Sequence, residues 1–163
     1  MAKSELRKRL DELKVQKVLD AYFNSVSALS SLRVVGFKEI ADTTQVALKQ
    51  TRPIEVARYD YLTDIETMDF FHPKVIAWVR QEFESLSEVS DYLLKFTDTY
   101  FGHTFIPWLH IQFTSYEWIE PIWLRGGAIA LLTMAEDSTL SAYGFEGSCF
   151  VERKILKPGA SET

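Results

Sequence analysis

The sequence predicts an α+β domain: a long N-terminal helix and a central helical segment packed on a curved antiparallel sheet that ends in a four-strand meander. Three observations predict it. A helical pattern opens the chain, a second one lies in its middle, and strand-length apolar runs cut by turn signals fill the segments after each.

Residues 4–31 read as one helix. Leu6, Leu10 and Leu13 step by four and three, and Val15, Val18, Tyr22, Val26 and Leu29 continue at helical spacing on a displaced face. Ser4 suits the N-cap. Residues 33–61 change character to two or three strands, with Ala41 to Thr44 as a turn and Thr51-Arg52-Pro53 as a break. Residues 37–50 fit either a strand or a short helix.

Residues 67–101 read as helix again. Pro73 opens it, and Ile76, Val79, Phe83 and Leu86 form its apolar stripe. Ser85 with Glu88 matches a capping box, which predicts a break and a second helix carrying Val89, Leu93, Phe96 and Tyr100. Gly102 would stop it. Residues 104–156 then read as the meander. Its first strand alternates Phe105, Leu109, Ile111 and Phe113 with Ile106, Trp108, His110 and Gln112. Residues 116–124 are expected as a strand with Pro121 at an edge or bulge. Arg125-Gly126-Gly127 and Glu136 to Thr139 are turn signals between the strands that follow. Residues 1–156 are expected to form a single domain, and 157–163 a flexible tail.

The bulk composition narrows the function classes. Net charge is −5 and the pI near 5.2, against the basic stripe of a nucleic-acid module and against docking on an anionic membrane. Cys149 is the only cysteine, so no intramolecular disulfide forms and a reducing cytoplasm is the expected location. No stretch reaches the length of an apolar membrane span.

Motifs for chemistry are sparse. His72, His103 and His110 match no compact metal signature, so no metal and no cofactor are expected. Glycine patterns for nucleotide binding and the nucleophile elbow of hydrolases are both missing. Cys149 falls in a strand-like run, where a thiol is usually an inert filler.

The distinctive signal is aromatic. Sixteen of the twenty-two Phe, Trp and Tyr residues lie between Tyr59 and Trp123, and residues 60–98 add nine acids against three bases. Acids steer the approach of a basic partner, and aromatic anchors hold it. The leading reading is therefore a non-enzymatic module of the inhibitor, immunity or regulatory type. It would bind a basic protein through Asp60, Tyr61, Asp64, Asp69, Trp78 and Trp118, with Tyr59 as a further anchor. The alternative is a small-ligand or sensor domain whose pocket, between helices and sheet, is lined by Tyr92, Phe96, Tyr100, Trp108, His110 and Gln112. A third is a small enzyme using His110 with a carboxylate. The N-terminal helix offers a route to a homodimer.

Overall fold

A computed structural model describes residues 2–29, 31–65, 69–97 and 108–156. Seven strands form one open, fully antiparallel sheet: β1 (Leu32–Lys38), β2 (Glu55–Tyr59), β3 (Asp91–Phe96), β4 (Trp108–Phe113), β5 (Ala128–Thr133), β6 (Ser138–Phe145) and β7 (Ser148–Ile155). Their spatial order is β1-β4-β3-β5-β6-β7-β2, so β1 and β2 are the two edges. Among the described residues four helices accompany them: α1 (Ala2–Ser27), α2 (Asp42–Gln50), α3 (Pro73–Leu86) and α4 (Ile119–Gly126). A short 3-10 turn, Tyr61–Thr63, follows β2. Helices packed on an antiparallel sheet were the expected class, and no described helix is long and apolar enough to cross a membrane.

Strand alternation splits the apolar residues into two layers. On the first face, Leu94 and Phe96 of β3, Leu109, Ile111 and Phe113 of β4, Ile129 and Leu131 of β5, and Cys149 and Val151 of β7 join the main core. The end of α1 packs there beside β1, α4 over β3 and β5, and α3 over β6, β7 and β2. On the second face, Leu93, Trp108 and Leu132 meet Ile40 and Leu156 in a smaller cluster, covered by Ala47 and Leu48 of α2. The segment between the two edge strands thus forms the helix α2. Its entry is held by the Ala41 amide donating to Glu136 Oε1 (3.0 Å), and its last turn by Lys154 Nζ donating to the Leu48 carbonyl (3.1 Å).

The N-terminal helix forms as expected, though it ends at Ser27. Val26 is buried, and Phe23 packs its ring against Phe37 of β1 at 5.5 Å. The exposure of Val15, Val18 and Tyr22 lies outside the described side chains. His72 serves as the N-cap of α3, its Nδ1 accepting from the Lys74 amide at 3.1 Å, with Pro73 in the first turn.

Three local expectations are corrected. Ser85 and Glu88 start no second helix: the Ser85 hydroxyl donates back to the Glu82 carbonyl at 3.0 Å, α3 runs on to Leu86, and residues 91–96 are strand β3. The helix expected over 86–101 is therefore a sheet strand as far as 96, and residues 98–107 lie outside the described residues. Residues 119–126 form α4 rather than a strand. Ile119, Ile122 and Trp123 recur at three and four, which buries one helical face, and Pro121 sits harmlessly in the first turn. Gly127 closes this helix in the left-handed region (φ 71°), its amide donating to the Trp123 carbonyl at 2.8 Å. Finally, the last strand of the meander, Leu140 to Leu156 with an expected interruption near Gly144 and Gly147, is the hairpin β6–β7. Its two-residue turn places Glu146 and Gly147 at φ 46° and 82°, the pattern of a tight primed turn. Residues 157–163 lie outside the described residues.

Candidate functional site

The rim of the sheet beside β2 gathers most of the predicted partner-binding residues. Strand alternation points Ala57 and Tyr59 toward the main core and Arg58 to the second face. Tyr59 is half-buried, and Trp78 reaches over it from α3 with ring centroids 5.6 Å apart. The Tyr59 hydroxyl donates to Asp64 Oδ2 at 2.7 Å. That hydrogen bond, with burial, raises the phenol above its usual range.

The 3-10 turn brings Asp64 back to Tyr59. Thr63 Oγ1 donates to the Asp60 carbonyl at 2.8 Å, and the amides of Asp64 and Ile65 donate to the Tyr61 carbonyl at 3.0 and 2.7 Å. Tyr61 and Ile65 anchor this turn in the core, so Leu62, Thr63 and Asp64 face outward. Leu62 lies against the β6–β7 turn, where a Cβ on Gly147 would run into its Cδ1.

Asp60 is the polar hub of the rim. Its Oδ1 accepts from the Ser148 hydroxyl at 2.5 Å and from Arg58 Nε at 2.6 Å. The Ser148 hydrogen bond, then the Arg58 guanidinium, hold the carboxyl below its usual range, so it stays charged at neutral pH. Arg58 lies over the Phe150 ring at 5.4 Å, and Phe150 stacks on Tyr143 at 5.2 Å. Phe145, at the tip of β6, is exposed. Asp69 is exposed at the approach to α3, its Oδ1 accepting from the Phe71 amide at 2.9 Å.

The structure thus places Asp60, Asp64, Asp69 and Trp78 at accessible positions and brings Tyr59 among them. It removes two expected anchors. Tyr61 and Trp118 are each 1% exposed and belong to the main core. Tyr61 points inward because the 3-10 turn needs an apolar foot. Trp118 is drawn under the sheet against Phe113, with centroids 5.4 Å apart, because it begins a helix and not an edge strand.

The six residues expected to line one pocket do not share one space. Tyr92 and Phe96 pack on the first face of the sheet, Trp108 packs on the second, and His110 and Gln112 follow Trp108 by alternation. Tyr100 lies outside the described residues. The expectation rested on a helix over 86–101, which would have pointed Tyr92 and Phe96 down onto β4. As neighbouring strands, β3 and β4 instead sort their side chains to opposite faces. The main helices lie on the Leu109–Ile111–Phe113 face, so Trp108 and His110 face only α2's side.

His110 has a carboxylate neighbour. Its Nε2 lies 3.8 Å from Asp91 Oδ1, beyond hydrogen-bond reach, and that nitrogen is buried without a hydrogen-bond partner. Cys149 is on the other face, buried in the main core, where desolvation pushes its thiol up to about 12. Among the described residues, no three His, Cys, Asp or Glu side chains converge to hold a metal ion.

Sequence reasoning missed Arg58, Leu62, Phe145 and Ser148 as members of the rim. The available signal was Glu146-Gly147 between two strand-like runs, which marks a hairpin and so places Phe145 and Ser148 opposite each other. No family model, no curated protein and no solved structure matches this chain.

Proposed function

We propose that this chain is a non-enzymatic binding module that engages a basic protein partner through the rim formed by β2, the 3-10 turn and the start of α3. The observation that carries the reading is the grouping of Tyr59, Leu62 and Trp78 with the exposed carboxylates of Asp60 and Asp64. Apolar anchors ringed by charge are the usual make-up of a protein-recognition patch. The carboxylates are already oriented by Ser148, Arg58 and the Tyr59 hydroxyl. Pre-ordered groups lose less freedom on binding. β2 is also an edge strand with Ile54 and Val56 exposed beside the patch, which widens the surface a partner can use. The separation of Tyr92 and Phe96 from Trp108 by the sheet favours this reading over a pocket between helices and sheet.

The test is capture from host lysate with the native chain and with a triple variant, Asp60→Asn, Asp64→Asn and Asp69→Asn. Asparagine keeps an acceptor oxygen for the local hydrogen bonds while removing three charges. A basic protein held by the native chain and lost or weakened with the variant is the expected result. A partner retained equally by both, or one that is acidic, counts against the rim.

A further inference from the structure

α1 carries two apolar stripes on opposite sides of the helix. Taking about 100° per residue, Leu19, Phe23 and Val26 fall within one sector, and it is this sector that meets the domain at Val26 and Phe23. Leu6, Leu10 and Leu13 fall within about 60° of one another on the other side. They are 60%, 49% and 61% exposed. Every described side chain from Ser4 to Lys17 is exposed. The leucine stripe points away from the chain's own body, so the body cannot cover it. A helical arm that buries nothing is marginal in water, because most helical stability comes from packing an apolar face.

Charge selects what covers it. Lys17 lies within the leucine sector and Arg7, Arg9 and Lys14 flank it within about 90° of its centre, whereas Glu5, Asp11 and Glu12 lie more than about 100° away and Asp20 alone among the acids, beyond Leu13 along the helix, comes close to it. Two arms laid stripe to stripe would therefore set bases against bases. The chain's own body has the opposite character. α1 holds six bases and four acids, and the rest of the chain twelve bases and nineteen acids. The outer side of α4 presents Glu120 and Leu124, one helical turn apart, and Glu117 lies just before the helix cap, all three exposed. This acid–acid–apolar series complements the arm's alternation of Leu with Arg and Lys.

We infer that α1 is a dimerisation arm whose Leu6–Leu10–Leu13 stripe docks on the acidic outer side of α4 in a second copy of this chain. The exchange is reciprocal, each arm meeting the other copy's α4, so the assembly closes with two-fold symmetry.

Sedimentation velocity on the full chain, from micromolar concentration upward, reads the association. The native chain should form a dimer that weakens as salt rises. Leu6→Gln, Leu10→Gln and Leu13→Gln together should raise the dimer Kd by roughly tenfold or more. So should Arg7→Glu, Lys14→Glu and Lys17→Glu together, and so should Glu117→Lys with Glu120→Lys. Combining the last two sets in one chain restores opposite charges across the contact and should recover dimerisation. A native chain that stays monomeric at every concentration overturns the proposal, even if its arm pellets with phosphatidylserine vesicles. A mixture of native and arm-reversed chains that pairs more tightly than the native chain alone would mean arm against arm. That result, or a dimer untouched by every variant, also overturns it. All the substituted side chains are exposed, and the salt response of the native dimer needs no variant.

Discussion

Trp118 and Trp123 are both buried in the main core, yet only one has its indole N–H paired. Trp123 Nε1 donates to the Phe70 carbonyl at 2.8 Å, whereas Trp118 Nε1 is buried with no hydrogen-bond partner. An unsatisfied buried donor costs about 1–3 kcal/mol, and removing the donor of a satisfied pair strands its acceptor at similar cost. Trp123→Phe should therefore destabilise the fold more than Trp118→Phe, by at least about 1 kcal/mol in urea unfolding. Equal losses would mean that the orphaned N–H costs nothing. Cys149 gives a second test at this scale. Burial raises its thiol from 9.0 to about 12, so the fold favours the protonated form and the unfolded chain releases the proton first. Its stabilising contribution is complete below pH 9 and is lost as pH rises through about 12. Tyr61 and Tyr116, both raised chiefly by burial, act in the same direction. Stability should fall on the alkaline side, less steeply in Cys149→Ala than in the native chain, and the native thiol should resist alkylation until the protein unfolds. Rapid alkylation of the folded protein, or an unchanged slope, would contradict this. At this scale the sequence was partly legible. Cys149 as a core filler followed from its strand neighbours, but the burial of Tyr61 depended on a 3-10 turn that no periodicity announces.

At the scale of elements, α1, α3 and the turn at Glu136 between β5 and β6 were readable because their causes are local: apolar spacing, Pro73 at a helix start, a polar cluster between two strand-like runs. β3 and α4 were not, because each was decided by tertiary context. Residues 91–96 are apolar enough for either element, and pairing with both β4 and β5 made them a strand. Residues 119–126 became a helix because Ile119, Ile122 and Trp123 fill the space above β3 and β5. Pro121, taken as a mark of an edge strand, was equally compatible with a first helical turn. The two stripes of α1 predict a contrast in stability. Val26→Ala removes part of a fully buried side chain and should cost on the order of 1–3 kcal/mol, read by thermal or urea unfolding. Leu10→Gln, on the exposed stripe, should stay within about 0.5 kcal/mol when measured at concentrations where the chain is monomeric. Equal effects would show that the outer stripe already packs on its own chain.

At the scale of the whole molecule, the two-layered sheet accounts for how the aromatic residues are spent. Tyr92, Phe113, Tyr116 and Trp118 form a contiguous cluster within or against the main core, with neighbouring ring centroids 5.2–5.7 Å apart. Tyr59 and Trp78 are left at the rim beside the acids. The aromatic run was visible in the sequence, but its division between core and rim was not, since that depends on which face of which strand each ring occupies. Recruitment of a basic protein by the acidic rim, as proposed above, is read most directly in the salt dependence of the association rate. With the captured partner in stopped flow, the native chain should bind faster as salt is lowered, because weaker screening lets the attraction reach beyond the roughly 10 Å it spans at 0.1 M. The Asp60→Asn, Asp64→Asn, Asp69→Asn variant should associate more slowly at low salt and show a flatter salt dependence. Dissociation should change less, since charge acts mainly on the encounter. An association rate that is the same for both proteins at every salt concentration would contradict the claim.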